Sequence, residues 1–125
     1  MKDGKYVIMY VDDDRDMLDT MRMLLESSGY IMVEALSAEE GLKVYKREDP
    51  DLIVVDLMME EVDAGTSLVK ELLAIGNKKP VYMLSSVGDT MSITTDYSNL
   101  GLAGVFQKPL NFKFFLNILK KKLGN

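Results

Sequence analysis

The chain alternates short, fully apolar runs with segments whose apolar residues recur at helical spacing, and this alternation constrains its fold more than any other feature. Strands that are apolar throughout are typical of a parallel sheet covered on both faces. The predicted strands span residues 6–11, 31–36, 52–55, 80–84 and 104–107. Since crossovers between parallel strands are right-handed, the pattern predicts an α/β fold with a doubly wound sheet of five strands.

Helix signals fill the intervals between these strands. Ser37 has a glutamate three residues later, which is the pattern of a capping box. Asn111 is expected to cap a last helix that ends near residue 123. The spacing also predicts helices over residues 66–75 and 89–100. The second of these is expected to be short, because it contains Ile-Thr-Thr and Ser-Asn segments that form helices poorly.

Composition limits the chemistry. At 125 residues the chain has the length of one domain, so we predict a single domain over residues 1–125. The absence of cysteine and histidine excludes thiol nucleophiles, His-ligated zinc and Ser-His-Asp triads. A net charge of -5, with one basic run at residues 120–122, argues against direct nucleic-acid binding. Neither a signal peptide nor a membrane-spanning stretch is evident, so a cytoplasmic protein is expected.

Polar residues follow four of the predicted strands. They are Asp12, Asp13 and Asp14 after the first strand, Asp56 after the third, Ser85 after the fourth and Lys108 after the fifth. The carboxyl ends of parallel strands meet at one edge of the sheet, and ligands of open α/β sheets bind there. We therefore expect these side chains to form one site.

The residue types at this edge suit phosphoryl chemistry. Clustered carboxylates repel one another unless a cation joins them, and oxygen ligands favour Mg²⁺, with Mn²⁺ as an alternative. Lys108 can neutralise one phosphoryl oxygen, and Ser85 can donate its hydroxyl to another. With Asp56 as a carboxylate nucleophile, these groups complete a site for forming an acyl phosphate.

In order and spacing, these residues resemble the receiver domains of two-component response regulators, of the chemotaxis-regulator-like kind, over essentially the whole chain. The motifs are Asp12-Asp13, Asp56 with the Leu-Met-Met segment that follows it, Ser85, and Lys108-Pro109. The resemblance implies a flavodoxin-like sheet with strand order 2-1-3-4-5 in three layers. It also implies that Asp56 is the phosphoacceptor and that Ser85 and Lys108 assist it.

The same resemblance implies the ligands and the partner. Asp13, Asp56 and the backbone carbonyl of Met58 would bind Mg²⁺ directly, and Asp12 would act through water. The phosphoryl group would come from a sensor histidine kinase, a histidine phosphotransfer protein or a small phosphodonor, and the chain would catalyse its own phosphorylation and dephosphorylation. The response would change the surface around the fourth helix, the fifth strand and the last helix.

Three features depart from the family pattern, two of them single residues and one a spacing. Glu60 replaces the usual proline. Val105 replaces the aromatic residue whose side chain, in the family, rotates toward the position of Ser85 when the domain is phosphorylated. Phe106 lies next to Val105, but adjacent strand residues point to opposite faces. The spacing from Ser85 to Lys108 is also about one residue longer than is common. All three departures concern metal affinity or signal output rather than the phosphoacceptor itself.

The last helix carries two apolar faces. Phe115, Leu116, Leu119 and Leu123 form a stripe that is expected to face the sheet. Phe114 and Ile118 fall on nearly the opposite side, and an exposed apolar pair of this kind is typical of a contact surface. We therefore predict a partner or homodimer interface at Phe114 and Ile118.

Three alternative functions remain open at this point. A phosphatase of the haloacid dehalogenase type would use the Asp-x-Asp arrangement of Asp12 and Asp14, although it generally needs a longer chain. A flavodoxin-like cofactor domain would need glycines or hydroxyls after the first strand, where this chain has three aspartates. A degenerate receiver would bind partners without being phosphorylated, and the replacement at Val105 keeps that alternative open.

Overall fold

The computed structural model describes residues 1–57, 64–86 and 101–124, and for residues 64–66 and 86 it describes the backbone alone. The strands are β1 (Val7–Val11), β2 (Ile31–Ala35), β3 (Leu52–Asp56), β4 (Val81–Ser86) and β5 (Gly104–Lys108). They form a single parallel sheet in the order β2-β1-β3-β4-β5. The predicted fold and strand order are confirmed.

Three strands extend further than predicted and take in polar residues. Asp56 ends β3, Ser85 and Ser86 end β4, and Lys108 ends β5. Ser86 is in register with Lys108, so the ladder continues beneath these polar side chains. The reason is that strand pairing depends on backbone groups, whereas the prediction followed the apolar side chains and stopped where they stopped.

The helices of the described residues are α1 (Arg15–Ser27), α2 (Ala38–Glu48), α3 (Ala64–Ala74) and a last helix (Phe112–Leu123). The Ser37 hydroxyl accepts the Glu40 N–H at 3.1 Å, while Glu40 Oε1 accepts the N–H of Leu36. Asn111 accepts the Phe114 N–H at 3.0 Å and caps the last helix as predicted. The helix predicted over residues 89–100 lies outside the described residues.

Two apolar clusters cover the two faces of the sheet, which gives the predicted three layers. The first cluster packs α1 and the last helix against one face; its members from those helices include Leu18, Met21, Leu25, Phe115 and Leu119. The second packs α2 and α3 against the other face; its members from those helices are Val44, Leu68, Val69, Leu72 and their partly buried neighbours. The stripe predicted on the last helix is confirmed. Across the described ranges, no helix has the length and apolarity needed to cross a membrane.

The strand order reverses at β1. The chain runs outward from β1 to β2, then returns past β1 to β3 and continues to β5. The helices that follow the two directions lie on opposite faces of the sheet. In sheets of this topology ligands bind at the carboxyl ends of the strands beside the reversal, here β1 and β3. The polar residues predicted from the sequence lie at these strand ends.

Candidate functional site

The strand register brings the predicted site residues to one edge. Val11 is in register with Val55, which makes the next residues, Asp12 and Asp56, neighbours across the β1–β3 boundary. Asp56 is in turn in register with Leu84 on β4. Because side chains alternate along a strand, Asp56 points to the face of the first apolar cluster, as Val54 does.

Lys108 is paired directly with Asp56. Its Nζ donates a hydrogen bond of 2.9 Å to Asp56 Oδ2. The carboxylate is 1% exposed, so it has lost nearly all of its hydration. A buried charge of this kind is tolerated when a counter-charge and hydrogen bonds replace the lost water. Lys108 supplies that counter-charge from β5, reaching past the end of β4.

The three consecutive aspartates lie in three different environments. Asp14 is exposed and is the N-cap of α1, where its Oδ1 accepts the N–H of Asp16 at 3.0 Å. Asp13 is half-buried, and Asp12 is fully buried. The three carboxylates are therefore not equivalent, since they differ in both burial and contacts.

Asp12 is held at both carboxylate oxygens. The Tyr10 hydroxyl donates to Oδ2 at 2.5 Å, and the Asp14 N–H donates to Oδ1 at 3.0 Å. Burial raises the pKa of the Tyr10 hydroxyl well above its usual value, and the hydrogen bond to Asp12 and the charges of Asp12, Asp56 and Asp14 raise it further. The hydroxyl therefore keeps its proton and acts as a donor.

In the sequence Tyr10 is only one residue of the first apolar run, so its hydrogen bond with Asp12 was not predicted. The signal was present in the period of the strand, since residues two apart share a face. A hydroxyl two positions before a buried carboxylate is therefore placed to donate a hydrogen bond to that carboxylate.

Ser85 approaches the edge from the other face. It is 1% exposed and follows Met83 of the second cluster by two residues, so its side chain lies on the opposite side from Asp56. Within the described residues its Oγ has no hydrogen-bond partner. A buried hydroxyl without a partner is costly, and a ligand oxygen at the strand ends would satisfy it.

The donor set at this edge fits a hard divalent cation in its chemistry. Carboxylates of Asp12 and Asp56 are neighbours there, with Asp13 adjacent, and oxygen ligands are those that Mg²⁺ prefers. In residues 1–57, 64–86 and 101–124, however, acidic side chains do not already form a group of three that could hold a metal ion. Met58, whose backbone carbonyl was predicted as a ligand, and Glu60 lie outside the described residues.

Val105, at the position of the expected switch residue, and its neighbour Phe106 lie on opposite faces of the sheet, as predicted. Val105 is 44% exposed, whereas Phe106 is 6% exposed and belongs to the first cluster. The Phe106 ring packs edge-on against Phe115, with centroids 5.1 Å apart, and also contacts Tyr82 and Phe114. Phe106 therefore cannot replace an aromatic side chain at Val105.

The family comparison identifies this arrangement. The model of the response regulator receiver domain matches residues 8–120. The chain belongs to the response regulator receiver domain family. Receiver domains are typically Mg²⁺-dependent and have histidine kinases as partners. The match excludes the phosphatase and flavodoxin-like alternatives.

Curated relatives show the same family in longer proteins. The transcriptional regulatory protein GlrR of Escherichia coli K12 is 40% identical over 81 residues, which is 65% of this chain and 18% of that protein. The probable transcriptional regulator ycf27 of Porphyridium aerugineum is 32% identical over 109 residues, which is 87% of this chain and 44% of that protein. The chain thus spans less than half the length of these relatives.

Solved receiver structures share the fold. A CheY-like receiver domain protein from Methanospirillum hungatei JF-1 superposes with a TM-score of 0.84 at 27% identity, covering 97% of this chain and 95% of that one. A two-component response regulator from Clostridium difficile superposes with a TM-score of 0.86 at 22% identity, covering 97% and 98%. The second likeness concerns the fold alone.

Proposed function

We propose that this receiver domain accepts a phosphoryl group on the carboxylate of Asp56, and that it acts as a single domain over residues 1–125. The observation that carries the proposal is the buried Asp56 carboxylate at the strand-order reversal, bonded to Lys108 at 2.9 Å. A carboxylate stripped of water and placed beside an ammonium is positioned to attack an electrophile that also carries negative charge.

The transfer forms one bond to phosphorus and breaks another. An Asp56 oxygen attacks the phosphorus, the bond from phosphorus to the donor breaks, and the donor leaves with the electron pair. For a phosphohistidine donor the leaving group is an imidazole, which takes up a proton from solvent. Phosphoryl transfer of this kind depends on positioning and charge neutralisation more than on proton transfer by the protein, so the lack of histidine is no obstacle.

The side chains around Asp56 divide the remaining work. Lys108 moves its hydrogen bond from the carboxylate to a phosphoryl oxygen, and Ser85 donates its hydroxyl, which has no partner among the described residues, to another. Asp13, Asp56 and the carbonyl of Met58 would hold Mg²⁺, or Mn²⁺, directly, with Asp12 acting through water. The cation neutralises charge on the transferred group when it is bound there.

The proposed donor is a sensor histidine kinase or a histidine phosphotransfer protein in the cytoplasm. The proposed output surface includes β5 and the last helix, where Val105 is exposed and Phe114 is 55% exposed. Ile118, predicted to be exposed with Phe114, is instead half-buried and packs against the first cluster. We propose that a second copy of this chain binds the exposed Phe114 side of the last helix. Ile118 would contribute to this surface only through its partly exposed side chain.

Incubation with acetyl phosphate and Mg²⁺, followed by intact mass measurement, tests the phosphoacceptor. We expect one added phosphoryl group in the wild-type protein and none in Asp56→Asn. Asp19→Asn, which removes an exposed aspartate of α1, is the matched control and should still be modified. An adduct that persists in Asp56→Asn, or no adduct on the wild-type protein at any Mg²⁺ concentration, would refute the proposal and favour a degenerate receiver.

A further inference from the structure

Tyr10 is a polar residue in a place where packing alone calls for none. Its side chain is fully buried within the first apolar cluster, on the same face as Ile8 and Val54. A phenylalanine would fill the same space without bringing a hydroxyl into the core, and a buried hydroxyl costs free energy unless it is bonded. The 2.5 Å hydrogen bond to Asp12 is the partner that offsets this cost.

That hydrogen bond changes what Asp12 can do. Short O–H···O⁻ bonds are among the stronger hydrogen bonds in proteins, and this one engages Oδ2 while the Asp14 N–H engages Oδ1. Each oxygen of this buried carboxylate therefore accepts a hydrogen bond from a donor of its own chain, which fixes the orientation of the carboxylate. Each donor also withdraws negative charge from the carboxylate, which weakens its attraction for a cation.

We infer that Tyr10 is a positioning residue of the cation site: it holds Asp12 out of direct coordination, leaves direct ligation to Asp13 and Asp56, and lowers the affinity for Mg²⁺. The inference rests on the proposed function, because it assumes that Mg²⁺ binds beside Asp56. It adds a residue that neither the acidic motif nor the phosphoacceptor indicates, since Tyr10 lies beneath the site rather than in it.

Tyr10→Phe tests the inference, because it removes the hydroxyl and keeps the ring. Without its donor, Asp12 Oδ2 is buried and unpaired, and Mg²⁺ binding relieves that cost. We expect the Mg²⁺ dissociation constant to fall by about fivefold, the size expected for one net hydrogen bond. Isothermal titration calorimetry of metal-free protein measures this directly and requires no phosphorylation.

Two further variants separate a positioning role from a structural one. Tyr82→Phe removes another tyrosine hydroxyl from the same cluster and should leave the dissociation constant unchanged. In an Asp12→Asn background, adding Tyr10→Phe should also leave it unchanged, because the buried carboxylate is gone. A purely structural role for Tyr10 would lower the unfolding temperature in both backgrounds and leave Mg²⁺ affinity alone.

A measurement on the wild-type protein covers the case in which Tyr10→Phe does not fold. The ¹³Cζ chemical shift of Tyr10 reports the hydrogen bond of its hydroxyl, and we expect it to keep its bonded value at saturating Mg²⁺. A move to the unbonded value, or a dissociation constant that is unchanged or higher in Tyr10→Phe, would overturn this inference alone. Absence of Mg²⁺ binding to the wild-type protein would overturn it together with the proposed metal site.

Discussion

Lys108 and Asp56 are bonded to each other across an intervening strand. The two residues end β5 and β3, and the 2.9 Å contact between Nζ and Oδ2 passes the carboxyl end of β4. The lysine side chain remains 29% exposed while the aspartate side chain is 2% exposed. The ammonium therefore contacts both solvent and a buried carboxylate. This position would let it transfer its hydrogen bond from the carboxylate to a phosphoryl oxygen that arrives from the solvent side.

Lys108→Met should destabilise the protein in the absence of Mg²⁺ by about 1–3 kcal/mol, less than for a fully buried pair because the lysine is partly exposed. The substitution removes the ammonium that is bonded to the buried Asp56 carboxylate at 2.9 Å. Urea unfolding followed by circular dichroism measures the loss. Lys113→Met, on the exposed side of the last helix, is the matched control.

The same loss should shrink when Asp56 is already Asn, because the buried charge that Lys108 neutralises is then absent. An equal loss in both backgrounds would show that Lys108 stabilises the fold by packing alone.

Asp14→Ala should cost about 1 kcal/mol of stability, since it removes the side-chain cap of α1. Asp14→Ser should recover most of this loss, because serine also accepts the N–H groups of the first turn. Mg²⁺ affinity should stay the same in both variants, since Asp14 is exposed and occupied at the helix end. A marked weakening of Mg²⁺ binding in both variants would assign Asp14 to the metal site instead.

Gly41→Ala should destabilise the protein by about 1–2 kcal/mol, although alanine is the better helix former by about 1 kcal/mol. A Cβ at this position would lie 2.9 Å from Leu68 Cδ2 and 3.4 Å from Val11 Cγ2. The Leu68 side chain, buried in the second cluster, must therefore shift to make room for a methyl group. Thermal unfolding measures the change, and Leu68→Val should lessen it by clearing the contact.

Phe114→Ser should weaken self-association of the phosphorylated protein, because it removes an exposed apolar side chain from the proposed contact surface. Sedimentation velocity of the wild-type and variant proteins after acetyl phosphate treatment measures the effect. Asn117→Ser, an exposed polar position on the same helix, should behave as wild type. An unchanged sedimentation coefficient in Phe114→Ser would remove Phe114 from the interface.

The architecture could be predicted because the sequence encodes it locally. Apolar runs of strand length mark β1 to β5, and residues such as Ser37 and Asn111 mark helix starts through hydrogen bonds within a few residues. Within the strands the errors lie at the ends, where Asp56 and Lys108 are polar but belong to the ladder through their backbones. Ile118 was misplaced for a different reason: its burial depends on how the last helix lies against the sheet.

The three aspartates at residues 12–14 show which properties the sequence could predict and which it could not. By itself the sequence determined that a parallel sheet forms and that Asp12, Asp56, Ser85 and Lys108 reach the same edge, because parallel strands place their carboxyl ends together. Only the tertiary structure decided what each one contacts. Three consecutive aspartates become a buried partner of Tyr10, a half-buried residue and a helix cap, since the pleat and the start of α1 turn adjacent side chains in different directions.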